Sequence, residues 1–334
     1  MEKAALLARL KPEIEIVDQT MMHDLQNLAG KALIPASLLA VLEHALFNGG
    51  KRIRPLLCLL TASLCGYNDK DIYQLAIAFE YLHVATLLHD DVIDHADTRR
   101  SRPAVNRLFG LPSAILAGDF LHARSMYLVG TLGGKQSLEL ICNATEAMVA
   151  GEFLQLANTQ KLNQSEKDYF AVINGKTALF IGAICETGGI FAGARDREIE
   201  ALKTYGANLG KAFQIKDDLL DYLGDPAKTG KAVGNDFCEG KMTLPLIHTL
   251  KSADKTENEF LLGLLKSEKT LRRTRFEEVR ELISKRGGFT YGRQLAEKLI
   301  AAGIAGLEIF KAKQNRQIIA ALNGLAHYVI NRDK

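Results

Sequence analysis

The sequence predicts an all-α protein, a single-domain bundle of long helices around a central cavity that spans residues 1–334. Three observations carry that prediction. Apolar residues recur at helical spacing over long stretches, as in Leu82, Ala85, Leu88, Val92 and Ile93. Period-two runs flanked by Asn-Gly or Asp-Gly turns are nearly absent, so strands have no signal. Gly and Pro are spread along the chain instead of gathering in a linker, and no fixed-period repeat or low-complexity tract interrupts it.

The elements follow in order. A first helix runs from about Glu2 to Leu28. Pro35-Ala36-Ser37 opens a second, which Asn48-Gly49-Gly50 closes. Pro55 fits N1 of a third, where its missing N–H costs nothing, and Gly66 stops it. Asp69 to Asp71 cap a long helix that reaches past Asp90. After a loop through Pro103, helices follow from about Pro112 to Thr131 and from Lys135 to Thr159. Ser165-Glu166-Lys167-Asp168 resembles a capping box that starts the next. Another helix spans roughly Arg195 to Leu223. A loop rich in Gly, Lys and Asp covers Gly224 to Lys241, and shorter helices continue to Asn331.

Composition narrows the class. Lys and Arg total 42 against 39 Asp and Glu, a net charge of +3, which gives no footprint for nucleic acid or for a polybasic membrane anchor. Hydrophobic residues make up 47%, enough for a sizeable core. The five cysteines are scattered and form no Cys-x-x-Cys pair, so they read as reduced core residues of a cytoplasmic protein. The N-terminus carries Glu2, Lys3 and Arg9 and shows no signal-peptide pattern. The most apolar segment, Thr177 to Ala194, includes Glu186 and reads as a buried helix, not a membrane span.

Chemistry concentrates in two acidic helices. Asp90, Asp91 and Asp94 lie within an apolar helical stretch, with Asp90 and Asp94 one turn apart on one face. Like charges at that spacing repel. One such motif is either a solvated face or a cation site. The motif returns at Asp217, Asp218 and Asp221, with Gln214 one turn earlier on the same face. Two such helices facing each other would suit Mg²⁺, which takes oxygen ligands and fills its shell with water and phosphate. Only an anionic ligand such as a diphosphate could complete that charge balance.

Basic residues complete the picture. Gly49-Gly50-Lys51-Arg52-Ile53-Arg54-Pro55 is a glycine-permitted turn carrying cations into a helix start, where anions are favoured. Arg99 and Arg100 follow the first motif, and guanidinium matches phosphate oxygens. Gly175-Lys176-Thr177 looks like the end of a P-loop, but Phe170 stands where the first glycine belongs and no strand precedes it, which excludes a nucleotide-triphosphatase reading. Lys231 and Lys241 lie in the loop beside the second motif. His83 shares the Asp90 face two turns back, which leaves a phosphate contact and a core role equally open, whereas His89 and His95 are expected to be structural.

Together these residues resemble the trans-polyprenyl diphosphate synthases, the head-to-tail prenyltransferases, and within them the medium- to long-chain, octaprenyl type. The resemblance rests on two Asp-Asp-x-x-Asp motifs combined with Gly-Gly-Lys-x-x-Arg-Pro, Gly-Lys-Thr and Phe-Gln-x-x-Asp-Asp, running from about Gly49 to Lys241. It implies the type I isoprenoid synthase fold and a homodimer. It implies Asp90, Asp94 and Asp217 as Mg²⁺ ligands, with Asp91, Asp218 and Asp221 supporting them. Arg99 would hold the allylic prenyl diphosphate, and Lys51, Arg54, His83 and Arg100 isopentenyl diphosphate. Lys176, Thr177, Gln214 and Lys231 would line the allylic side and the reacting carbons, and Lys241, in the loop beside the second motif, is expected to bind substrate as part of a lid. Ser101 departs from the family, where Gly commonly follows the Arg pair.

The implied reaction is ionisation of the allylic C–O bond, attack of the isopentenyl double bond on the cation, and proton loss to the released pyrophosphate. Product length is expected to depend on Thr86 and Ala85, four and five residues before the first motif. Both are small, which points to a medium-to-long product of the kind that supplies quinone side chains, with Tyr81 as a deeper stop. Competing readings are a short-chain farnesyl or geranylgeranyl synthase, a class I terpene cyclase, and a non-catalytic partner subunit. The second intact Asp motif and the second-diphosphate cations oppose the last two.

Overall fold

The computed structural model describes residues 3–100, 102–224, 233–312 and 315–332. Among these the chain is all-α apart from one small ribbon, as predicted. The elements are α1 (Lys3–Gly30), α2 (Ala36–Leu46), α3 (Ile53–Leu64), α4 (Ile72–Ile93), β1 (Thr98–Arg99), β2 (Arg102–Pro103), α5 (Val105–Leu108), α6 (Leu111–Leu132) and α7 (Gly134–Lys161). They continue with α8 (Glu166–Ile173), a π-helical turn (Asn174–Ala178), α9 (Leu179–Phe191), α10 (Asp196–Leu223) and α11 (Asn235–Glu239). The last are α12 (Leu244–Ser252), α13 (Lys255–Leu265), α14 (Lys269–Thr274), α15 (Phe276–Lys285), α16 (Gly288–Gly306), a 3₁₀ turn (Leu307–Phe310) and α17 (Arg316–Asn331). The expected site residue Lys231, its neighbour Gly230 and the family departure at Ser101 lie outside the described residues.

Two compact units can be distinguished. The first holds Met1–Cys142, Ile184–Ile199 and Ala312–Leu322, and the second Asn143–Ala183, Glu200–Lys311 and Asn323–Lys334.

In the first unit α4 is the core. It is apolar all round, and every residue from Leu75 to Leu82 is buried, which is where such a helix must lie. Full burial of a Leu or Phe side chain stabilises by about 1.5–3 kcal/mol, so Leu75, Phe79 and Leu82 hold the unit together. Small residues let α6 approach closely: Ala114, Ala117, Gly118 and Ser125 are buried on it. Ser125 Oγ donates to the Ala78 carbonyl at 2.7 Å. A side chain at Gly118 would put its Cβ 2.3 Å from His89 Nε2, so His89 lies against α6.

Helix ends differ from expectation in informative ways. Pro55 sits at the third helical position of α3, not the first. The first helical bond runs from Leu56 N to Arg52 O at 3.0 Å, so Pro55 still loses no donor. At the other end Gly66 takes φ +92, and Tyr67 N and Gly66 N return to Ala62 O and Ser63 O at 3.1 and 3.0 Å. Asp71 is the N-cap of α4, but its carboxylate accepts the Tyr67 hydroxyl at 2.8 Å in place of backbone N–H. Ser165 does cap α8, accepting Asp168 N at 3.2 Å, yet its own N–H goes to Asn163 Oδ1, so the box is half made.

In the second unit α10 carries the organising face. Leu202, Tyr205, Leu209, Ala212, Ile215, Leu219 and Tyr222 recur every three or four residues and are all buried. The stretch Glu166–Phe191 is long and apolar enough to cross a membrane by composition, but 67% of its most apolar window is buried within the protein, as a core helix is. All five cysteines are free, and burial pushes the Cys58 and Cys185 thiols well up, which makes them unreactive.

Candidate active site

The first unit brings the first acidic motif and the Arg-rich turns together. Asp90 is half-buried and Asp94 exposed, while Asp91 turns inward and is only 3% exposed. Asp91 clamps Arg99: Nε lies 2.9 and 3.2 Å from the two carboxylate oxygens, and Nη2 also binds Oδ1. That is the bidentate geometry a guanidinium favours. Asn106 fixes the turn that makes this possible, donating to the carbonyls of Asp91 and Ala96 at 3.2 and 3.0 Å.

Arg99 lies on the β1–β2 ribbon, which pairs Thr98 with Pro103 and Arg99 with Arg102. Strands two residues long leave no period-two signal. The turn also lacks the usual Asn-Gly cue, and Arg100 itself takes the left-handed φ of +52. His44 Nε2 reaches Pro103 O at 3.0 Å and Asn48 Nδ2 reaches Arg99 O at 3.3 Å, tying the ribbon to the end of α2.

The glycine turn is shaped by guanidinium groups. Arg100 Nη1 donates to the Gly49 carbonyl. Gly50 has φ +149, and a Cβ there would lie 2.8 Å from Arg100 Nη1 and 2.9 Å from Arg52 Nη1, so no side chain fits. Arg52 departs from the expected cationic set. It is 3% exposed and its guanidinium donates to Asp18 at 2.7 Å, Glu80 at 2.8 Å and Leu46 O at 2.7 Å. Arg54 is half-buried and Lys51 exposed.

His83 lies within the electrostatic reach of these cations. Burial, then the charges of Arg54, Arg100, Arg99 and Arg52, hold its pKa well below the usual imidazole value. The ring is therefore neutral at neutral pH and can donate one N–H to an oxyanion without adding charge. Of these guanidinium groups Arg52 is balanced by Asp18 and Glu80 and Arg99 by Asp91, which leaves Arg54 and Arg100 as the cations beside the neutral imidazole best able to attract an anion.

The second unit assembles the second motif around the π turn. The small residues of α7 and α10 permit it. A Cβ at Gly151 would meet Lys176 N at 3.0 Å, and one at Gly210 would meet the Ala178 Cα at 2.6 Å. Squeezed there, Lys176 and Thr177 are aimed by a π turn, a feature that periodicity does not reveal. Lys176 Nζ binds Gln155 Oε1 at 2.9 Å and Glu152 at 2.7 Å. Thr177 Oγ1 donates to Gln214 Oε1 at 3.2 Å, Gln214 Nε2 donates to Asp218 Oδ1 at 3.2 Å, and Tyr169 Oη donates to Asp218 Oδ2 at 2.6 Å. Gln214 thus serves Asp218, four residues on, which is the neighbour helical geometry provides.

Asp221 holds the following loop. Its oxygens accept Asn235 N and Asp236 N at 3.1 and 3.0 Å, at the start of α11. Burial, then the neighbouring Asp236, push both Asp218 and Asp221 up to about 7. Lys241 answers part of that charge. Burial opposes its own protonation, but Asp236 and Glu239, each 3.0 Å away, raise its pKa. A cleft adjoins the cluster, lined by Lys176, Gln214, Asp218, Asp236 and Lys241 among others.

Among the described residues no three Asp, Glu, His or Cys side chains converge tightly enough to hold an ion unaided. The fit is instead to an ion whose shell is shared. Both motifs offer oxygen donors only, and the second has more buried carboxylate than its cations balance. Mg²⁺, which keeps waters and takes phosphate oxygens, matches that donor set.

Three participants escape sequence reading. Tyr169 and Asp236 have partners 49 and 15 residues away, with no local signature. Arg332, at the end of the described chain, binds Asp217 from 115 residues away.

A polyprenyl synthetase family profile matches residues 35–283. The octaprenyl diphosphate synthase of Escherichia coli K12 is 38% identical over 287 residues, 86% of this chain and 87% of the relative. A short chain isoprenyl diphosphate synthase of Methanothermobacter thermautotrophicus is 33% identical over 330 residues, 97% and 98% of the two chains. Among solved structures, a polyprenyl synthase from Caulobacter crescentus CB15, complexed with calcium and isoprenyl diphosphate, superposes with a TM-score of 0.86 at 34% identity, covering 98% of this chain and 97% of that one.

Proposed function

This chain belongs to the polyprenyl synthetase family and is a prenyltransferase, and from that premise we propose that it condenses an allylic prenyl diphosphate with isopentenyl diphosphate, releasing pyrophosphate in a Mg²⁺-dependent reaction. The observation that supports this reading is the cationic corner of the first unit, where Asp91 holds Arg99 and Arg100 binds the Gly49 carbonyl beside the first acidic motif, a setting suited to diphosphate. A terpene cyclase, with one diphosphate to hold, has no use for these cations in addition to Lys176 and the second acidic motif. We take the whole chain to act as one domain.

The residues then divide the work. Asp90, Asp94 and Asp217 would hold the metal, which when bound neutralises charge on the departing diphosphate. Asp91 orients Arg99 toward the allylic diphosphate, and Asp218, fixed by Tyr169 and Gln214, keeps Gln214 and Thr177 in register. Lys176 lies on the allylic side, with Lys241 beside it, and Lys231 is assigned to the same role from the sequence. Lys51, Arg54, His83 and Arg100 bind isopentenyl diphosphate, whose double bond attacks the allylic cation. The proton lost goes to the released pyrophosphate. Neutral His83 contributes a hydrogen bond and no competing proton.

We infer a medium-to-long product, since both long-chain and short-chain synthases are among the relatives and this chain has small residues where the tail must pass. Thr86 lies one turn before Asp90 and turns its hydroxyl back to His83 O at 2.8 Å, while Ala85 beside it is 2% exposed. Tyr81, which we take as a deeper stop, is buried on α4, and its hydroxyl donates to Asp24 at 3.0 Å on α1.

Mass analysis of products from several allylic primers with isopentenyl diphosphate and Mg²⁺ tests the reading, and no consumption of isopentenyl diphosphate would overturn it. Ala85→Phe is expected to shift the product mixture shorter by at least one isoprene unit. An unchanged chromatogram places the floor elsewhere.

A homodimer is the assembly we propose. In the first unit α6 exposes Leu111 (49%), Ile115 (43%) and Leu116 (64%), and in the second α7 exposes Val149, Phe153 and Leu156 at helical spacing. A second copy covering these faces removes them from water. Leu116→Glu is expected to raise the dimer dissociation constant by roughly tenfold or more, read by sedimentation, and a wild-type monomer would exclude the dimer.

A further inference from the structure

The end of the chain meets the second acidic motif. Arg332 Nη2 donates to Asp217 Oδ1 and to the Phe213 carbonyl, the latter at 3.1 Å. Its guanidinium carbon lies 4.0 Å over the centre of the Phe213 ring. Phe213 and Asp217 are four residues apart on α10, so one helix face supplies both platform and partner. Arg332 is 8% exposed, and it follows directly on α17, whose Leu322, Leu325, Ala326 and Val329 are buried. The Asp217 side chain keeps 40% of its surface open, so an ion from solvent can reach it.

We propose that Arg332 is a positioning residue that stands in for a divalent cation at Asp217 and yields the carboxylate when the cation binds. This rests on the reading of Asp217 as a metal ligand. A buried guanidinium makes a suitable stand-in. It fixes the carboxylate's orientation through a charged hydrogen bond, and stacking on Phe213 holds the guanidinium in place. Exchange of guanidinium for metal is then a competition for one carboxylate, and by linkage the metal loosens the end of α17 as much as Arg332 weakens the metal. A plain C-terminal clamp would make no such trade: its loss would lower stability and leave metal affinity alone.

Mn²⁺ binding to the full-length protein without substrates, followed by electron paramagnetic resonance, separates the two. Arg332→Gln is expected to bind Mn²⁺ about tenfold tighter, the factor that ~1.4 kcal/mol of lost competition converts to, while melting at a lower temperature in the absence of metal. Equal or weaker binding overturns the proposal. Hydrogen exchange on the wild type makes the test independent of whether the variant folds. Mn²⁺ is expected to speed exchange at the amides of Tyr328 to Arg332, and unchanged exchange also overturns it. If the wild type binds Mn²⁺ no better than Asp217→Asn, the metal reading itself fails and this inference falls with it.

Discussion

Asp90→Asn and Asp217→Asn are each expected to lower kcat by at least ~10²–10³-fold, with the KM for isopentenyl diphosphate changed by less than about threefold. Asparagine keeps shape and volume and removes only the charge. Interactions that stabilise charge developing on a leaving group are worth that much each when one is removed, and a loss confined to kcat marks an interaction made in the transition state. The neighbours should behave differently. Asp91 is buried and bound to Arg99, so Asp91→Asn should loosen Arg99 and raise the KM of the allylic substrate. Asp94 is exposed beyond the last turn of α4 and should matter less than Asp90. Steady-state assays with labelled isopentenyl diphosphate distinguish these patterns. A fall of less than tenfold for both Asp90→Asn and Asp217→Asn would remove the acidic motifs from the chemistry.

What the sequence revealed and what it hid divide along one physical line. Features set by neighbours three or four residues away were legible. The helical faces of α4 and α10, the Asp pairs upon them and the Gly49–Gly50 turn all follow from local spacing. Features set by distant partners were not. Within the run Lys51-Arg52-Ile53-Arg54 nothing local distinguishes Arg52, yet its partners Asp18 and Glu80 lie 34 and 28 residues away and draw it into the core. Asp91 and Asp90 are adjacent and look alike, but the direction of the loop after α4 turns one toward Arg99. The π turn at Lys176 is accommodated by the close approach of Gly151 and Gly210, which no window around Lys176 contains. The same limit hid Tyr169 and Arg332.

Arg52→Met is expected to destabilise the protein by about 3–5 kcal/mol, the usual cost of leaving one member of a buried ion pair without its partner. Glu80 is 2% exposed and has Arg52 Nη1 at 2.8 Å, so methionine would fill the space and strand a carboxylate in the core. Urea unfolding followed by circular dichroism reads the loss as a lower midpoint. Combining Arg52→Met with Glu80→Leu should recover most of it, because apolar replacement of a whole buried pair is often neutral. Asp18 retains 41% side-chain exposure and can return to water, so it does not add a second penalty. Function should fall along with stability for a geometric reason. Arg52 Nη1 forms one wall of the slot that only Gly50 fits, and Arg100 forms the other. Without Arg52 that turn loses its shape, and the grip of Arg100 and Lys51 on diphosphate weakens. Lys51→Ala is the control, since replacing an exposed lysine should raise the KM for isopentenyl diphosphate and leave the unfolding free energy within about 0.5 kcal/mol of wild type. Equal stability of Arg52→Met and Lys51→Ala would mean that Arg52 belongs to the ligand and not to the fold.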